Sequence, residues 1–246
     1  MAQQYSYIGK GSVWIKAPGG KRTKIGNVSA LNITASEETK TLPDYENAGG
    51  GNLDSISRIT DVTMEMTTSN ISPENLAVAL RGAITANAAA TVTDEAVTAD
   101  LDGLVVLARL PDLGASMTVT GTGGTPTYVE DTDYTRTRAG IIPLSTGSIT
   151  EALALEVSYS ALADNVMEAL VSSAKEYELT FEGLNEARSG SPVLVSAYKT
   201  KFSPSGTDLV GDDFGELTLT ASLNKDETKA GAGVSQYFKA RMAQLA

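Results

Sequence analysis

The side chains able to do chemistry are few, and their spacing suits none of the familiar reactions. There is no histidine and no cysteine among the 246 residues. This excludes every imidazole-based triad, thiol nucleophile, thiolate zinc site and disulfide. Glu130, Asp131 and Asp133 are the only close carboxylates reminiscent of calcium ligation. They lack the spaced acceptors and terminal Glu of a calcium-binding helix-loop-helix, so a turn-forming Asp pair is expected. Asp212 and Asp213, flanked by Gly211 and Phe214, have no partner for acid–base work and are expected in a turn between strands. Gly49, Gly50 and Gly51 lack the following Lys and Ser/Thr of a phosphate loop and the strand-to-helix setting of a dinucleotide fingerprint, and read as a hinge. No catalytic residue, metal or cofactor is expected, and the chain is not expected to be an enzyme.

What stands out instead is apolar. Leu42, Pro43 and Tyr45 interrupt a polar linker over residues 37–54 that otherwise holds Asp44, Glu46 and Asn47. Either they fold back on their own core or they anchor in a partner, where buried aromatic groups dominate the energetics. Leu42, Pro43, Asp44, Tyr45 and Asn47 are the candidate contact loop. The linker at 41–54 is expected to be mobile in the free chain and to order only on assembly, its ordering cost offset by contacts to neighbours.

The elements on either side must position this loop. In 27–36, Leu31, Ile33 and Ala35 share one face, the period-two pattern of a half-buried antiparallel strand. In 55–68, Val62, Met64 and Met66 alternate with polar residues, but Ile59 is out of phase, which predicts a bulge or twist near Arg58. A helix over 72–81 follows, with Ser72 as cap, Pro73 and Glu74 in the first turn, an Ile71–Leu76 staple, and Gly82 ending it in a left-handed turn.

Elsewhere the chain reads as strands. Tyr5, Tyr7 and Ile8 open one, 12–16 with the single tryptophan Trp14 a second, and 21–25 a third after the Pro18–Gly20 turn. Lys10, Lys16, Lys21, Arg22 and Lys24 make this end basic: a charged edge that discourages pairing, or a surface complementary to an acidic neighbour. After Gly82 the composition shifts. Residues 83–99 are rich in Ala and Thr, and short β-like runs follow at 103–108, 116–120, 126–130 and 153–159, with a further one within 134–143. They predict a small Ig-like sandwich at 87–171 inserted into a discontinuous core of 1–86 and 172–246. Alternation returns at 176–182, at 193–202 after an expected turn over 183–192, and at 217–223, and a tail with Tyr237 and Phe238 supplies an edge strand or a contact arm. The expected class is all-β with one short flanking helix.

Thirty acidic against 19 basic residues leave a formal charge of −11, which opposes binding a nucleic-acid backbone through a broad basic surface. The N-terminus lacks the basic-then-apolar order of a signal peptide, and the apolar run 104–110 is too short to span a bilayer. A soluble, non-exported product is expected.

The order of segments resembles the major tail tube protein of long flexible-tailed bacteriophages. The likeness is carried by GKGSVWIK, by IGNVSALNITASEETKTLPDYENAGGGNLDSISRITDVTMEMTTSNISPENLAVALRG, by TYVEDTDYTRTRAGIIPL in the insertion, and by YELTFEGLN and VSQYF. The resemblance implies a β-sandwich or barrel with one helix, assembling in the host cytoplasm as hexameric rings stacked into the hollow tail tube of a virion. The loop between the central strands would reach onto neighbouring subunits, giving Leu42, Pro43 and Tyr45 a partner. The inserted domain would decorate the outside. Partners would be further copies of the chain and other tail proteins at the tube ends, while DNA would pass through unbound. Six copies at −11 carry −66 formal charges per ring, and acids on the lumen would repel DNA within roughly 8 Å at physiological salt. The rival expectation is a carbohydrate- or cell-surface-binding module, which would stay monomeric.

Overall fold

The structure, a computed structural model, describes residues 6–206 and 210–243. Among these described residues, seventeen strands and one α-helix follow in chain order: β1 Gly9–Lys16, β2 Arg22–Gly26, β3 Val28–Pro43, β4 Asn52–Thr68, α1 Pro73–Ala79, β5 Ala83–Asn87, β6 Ala90–Thr98, β7 Val105–Val106, β8 Met117–Gly121, β9 Thr127–Tyr128, β10 Tyr134–Arg136, β11 Gly140–Pro143, β12 Ala154–Ala161, β13 Asp164–Glu168, β14 Glu176–Asn185, β15 Ser191–Ser203, β16 Leu217–Leu223 and β17 Phe238–Met242. The class is all-β with one short helix. By internal contacts the chain divides into 1–84 with 167–246, and 85–166.

The first unit is built on an eight-stranded antiparallel sheet in the order β2-β1-β14-β15-β16-β4-β3, with β17 pairing β15 as well. Both ends of the chain are needed, because β1 pairs along its whole length with β14 from Gly9↔Asn185 to Lys16↔Glu178. Tyr7 and Ile8 lie before β1, so the two strands expected at the N-terminus are one; Tyr5 lies outside the described residues. The core gathers Val13, Ile25, Met64, Met66, Leu179, Phe202, Leu217 and Leu219. Ile25 comes from one end of the strand order and Met64 and Met66 from beside the other, so the sheet folds over on itself.

The corner that allows this is Gly26, whose φ of +118° suits glycine and whose absent Cβ makes room for Asn70. Asn70 Nδ2 and Asn75 Nδ2 each donate to the Ile25 carbonyl at 2.7 Å, and Asn75 Nδ2 also reaches the Asn70 carbonyl at 2.8 Å. Asn75 is buried at the start of α1, so this network ties the helix to the corner while satisfying polar groups that burial would otherwise penalise.

Helix α1 packs on β15 and β16. Ser72 Oγ accepts from the Asn75 N–H at 3.2 Å, with Pro73 in the first turn and Glu74 beside it, as the capping pattern predicts. Its end differs from expectation. Leu80 is the C-cap, Arg81 takes the left-handed conformation at φ +49°, and the Gly82 N–H closes the turn on the Ala77 carbonyl at 2.8 Å. Arg81 tolerates that strain because its guanidinium donates twice to the Phe202 carbonyl, at 3.1 and 2.9 Å. Gly82 is needed for closeness rather than handedness: a Cβ there would meet the Glu168 carbonyl at 2.9 Å. Ser72→Ala is expected to cost about 1 kcal/mol, and Ser72→Gly only a few tenths. Urea unfolding of the two variants checks this, and equal losses would show that the side-chain oxygen does not cap.

The second unit holds two small antiparallel sheets, β10-β11-β7 and β6-β12-β8-β9. They share one core that includes Val119, Tyr134, Ile141, Leu155, Val157 and Tyr159. Strand β6 was not anticipated, and of the run 103–108 only Val105–Val106 is strand. Asp133 accepts from the backbone N–H groups of Val129 and Ser148 at 2.8 and 2.7 Å, and these bonds hold its carboxyl below the usual carboxylate range. Asp131 sits at φ +61° in the same turn. The pair lies in a turn, as its spacing predicts. The chain passes from one unit to the other within β5 and β13, which pair with each other.

Candidate assembly surface

Strands β3 and β4 do not stop where their apolar alternation stops. The ladder runs on from Ser36↔Asp61 to Pro43↔Asn52, although every side chain in 34–61 except that of Asp44 is exposed. The polar linker expected at 37–54 is therefore a correction: all but its tip is strand. Hydrophobic periodicity reports burial, and a ribbon wetted on both faces has none to report, while its backbone pairing persists. The result is a two-stranded arm, roughly 30 Å long at the rise of a strand.

The arm begins at a bulge. Ser36 pairs with Asp61 but Glu37 with Ile59, leaving Thr60 as the extra residue, two positions beyond the expected Arg58. The bulge shifts β4 by one residue, so Ile59, Ser57 and Ser55 continue the face that Val62, Met64 and Met66 occupy in the core. On that face Thr39 Oγ1 and Ser57 Oγ share a hydrogen bond of 2.7 Å. Lys40 opposes Ile56 and Leu42 opposes Asp54 on the other face, which makes Leu42 and Ile56 diagonal neighbours.

The tip is a shaped loop. Asp44 Oδ1 accepts from the backbone N–H groups of Glu46 and Asn47 at 2.8 and 3.1 Å, and Oδ2 from Asn47 Nδ2 at 2.8 Å. The Asp44 N–H donates to the Gly51 carbonyl at 2.8 Å, closing the loop across its neck. The Asn47 side chain, then the backbone bond from Glu46, hold the Asp44 carboxyl below its ordinary range. Gly49, Gly50 and Gly51, read as a hinge, all have positive φ and form the return turn. The closed loop presents Tyr45 at 84 % exposure. Leu42, Leu53, Ile56 and Ile59 are also mostly exposed. Of the two expectations for Leu42 and Tyr45, folding back on their own core is the one the structure rejects. Leu53, Ile56 and Ile59 join them, and their signal in the sequence was the same: large apolar groups in a polar run.

The basic N-terminal hairpin is partly neutralised within the chain. Glu178 on β14 takes Lys16 Nζ at 3.2 Å and Arg22 Nη2 at 2.7 Å. Strand β2, carrying Arg22 and Lys24, ends the strand order, where charge discourages edge pairing. Asp212 and Asp213 lie in an exposed connection before β16. Among the described residues no group of three or more acidic side chains could hold a metal ion, and no helix is long and apolar enough to cross a membrane.

A family model described as "Protein of unknown function UCP028589" matches residues 6–241. The chain belongs to that family. No curated protein matches it. The UCP028589 match takes in the arm, both units and β17 up to Arg241, so the exposed ribbon lies within the stretch by which the family is recognised.

Proposed function

We propose that this chain is a structural virion subunit that polymerises, as stacked hexameric rings, into the hollow tail tube of a long flexible-tailed bacteriophage. The subunit is assembled in the host cytoplasm, meets other tail proteins at the tube ends, and lets DNA pass without specific binding. The observation that carries this reading is the arm: a paired ribbon whose ladder has no core beneath it and whose exposed side chains include Leu42, Tyr45, Leu53, Ile56 and Ile59. Solvent gives such residues no stability, whereas a neighbouring subunit would bury them. Chemistry on a bound substrate has no comparable support, since histidine and cysteine are absent.

A recognition module is the second reading. It is favoured by Val106 and Val129, both more than half exposed on the second unit. Electron microscopy of the purified chain, with sedimentation across a concentration series, separates the two. Rings or tubes are expected; a monomer at every concentration that binds glycan would replace the first reading with the second.

A further inference from the structure

A groove of about 620 Å³ lies in the first unit between the start of the arm and the segment leading to β17. It is lined by Arg58, Ile59, Lys225, Lys229, Val234 and Tyr237, among others. Its far wall is built before any partner arrives. Asp226 accepts from the Thr228 hydroxyl at 2.8 Å and donates its N–H to the Gln236 carbonyl at 2.9 Å, closing the loop that carries both lysines. Lys229 Nζ stands 5.4 Å from the centre of the Tyr198 ring. Among the described residues no ion pair engages Arg58, Lys225 or Lys229. The groove is thus three cations around an apolar floor of Ile59, Val234 and Tyr237.

The same unit carries the inverse of this surface. Residues 210–216 read Val-Gly-Asp-Asp-Phe-Gly-Glu. Val210 and Phe214 are both 96 % exposed, and Asp212, Asp213 and Glu216 make no ion pair among the described residues. None of these residues lines the groove of its own chain. Three carboxylates beside two apolar side chains match three cations around three apolar ones.

We propose that the 210–216 loop of one copy docks in the Arg58–Lys225–Lys229 groove of the next, with Phe214 entering the apolar floor. The occupant is a second copy because one chain carries both halves as separate patches. Such a contact is head-to-tail, and repeated it generates a ring or a filament rather than a closed dimer. A polyphosphate is the poorer fit: Glu38 opposes Arg58 in the β3–β4 ladder, and Glu227 lies between the two lysines in sequence. The inference rests on the self-assembly reading and adds to it a contact outside the arm.

The test is a charge swap, read as the concentration at which the purified chain polymerises. Asp212→Lys with Asp213→Lys is expected to raise that concentration about tenfold or more, since close charge pairs at interfaces couple strongly. Lys225→Glu with Lys229→Glu should do the same, and the four substitutions together should return it to within about threefold of the parent. All four positions are exposed, and a circular dichroism melt confirms that each variant folds. Polymerisation of both single-side variants at the parent concentration, or a combined variant no better than either, overturns the docking and leaves the tube reading standing. If Lys225→Glu with Lys229→Glu, and not the aspartate variant, loses affinity for duplex DNA while assembling normally, the groove serves nucleic acid and the docking is wrong. A parent chain that never polymerises removes both.

Discussion

Replacing residues 42–54 by Asn-Gly leaves a subunit that folds and melts as the parent does, yet no longer assembles. The cut joins Thr41 to Ser55, which already face each other in the ladder, through a dipeptide that favours the tight hairpin turn. The removed side chains are exposed apart from Asp44, so the change in subunit stability should stay within roughly 0.5 kcal/mol. Assembly is another matter. The deletion takes Leu42, Tyr45 and Leu53, each at least half exposed in the isolated chain. Burying them against a neighbour is worth about 1–2 kcal/mol apiece. Losing roughly 4 kcal/mol per subunit contact raises the required concentration on the order of a thousandfold. Sedimentation velocity and electron microscopy read the assembly, and a thermal melt reads the fold. Tubes formed at the parent concentration would exclude the arm tip from the interface.

Leu179→Ala is expected to have the opposite profile. Leu179 is fully buried on β14, paired with Ile15 on β1 and Ala197 on β15, so its loss leaves a cavity that the flanking ladders prevent from collapsing. A cost of about 3–4 kcal/mol follows, a large part of the 5–15 kcal/mol or so that holds a typical domain. For a unit of this size the melting temperature should fall by roughly 10 °C. Ile56→Ala removes a similar volume from the exposed arm and should change stability by less than about 0.5 kcal/mol. Calorimetry of the two variants decides; comparable losses would mean that the arm packs on the subunit after all.

The strands that sequence reasoning placed well are those half in a core. Leu31 and Ile33 on β3, Val62, Met64 and Met66 on β4, and Leu217, Leu219 and Leu223 on β16 carry the alternation because one face meets apolar neighbours, whereas Ala35, expected on the face of Leu31 and Ile33, is exposed because the core ends before it. The Ser72 cap was legible because it needs only residues within three positions. The arm was misread because neither face is buried. The turn expected over 183–192 lies within that span, at 186–190, but starts later than its first glycine suggests: Gly183 is inside β14, opposite Gly11, where a Cβ would meet the Lys10 carbonyl at 2.6 Å. A glycine demanded by close strand approach looks the same in a sequence as a glycine demanded by a turn.

By itself the sequence determined the class of the fold, the start of the helix, the bulge before the arm and the absence of imidazole and thiol chemistry, because each follows from residue types or from neighbours a few positions apart. Only the tertiary structure decided that residues 37–43 and 52–54 are paired strand, that Arg81 and not Gly82 turns left-handed, that Asn70 and Asn75 converge on Ile25, and that Arg58 shares a groove with Lys225 and Lys229. Those facts join residues up to about 170 positions apart. The physical reason is that hydrogen bonds and close approaches between distant segments leave no periodic trace in the segments themselves.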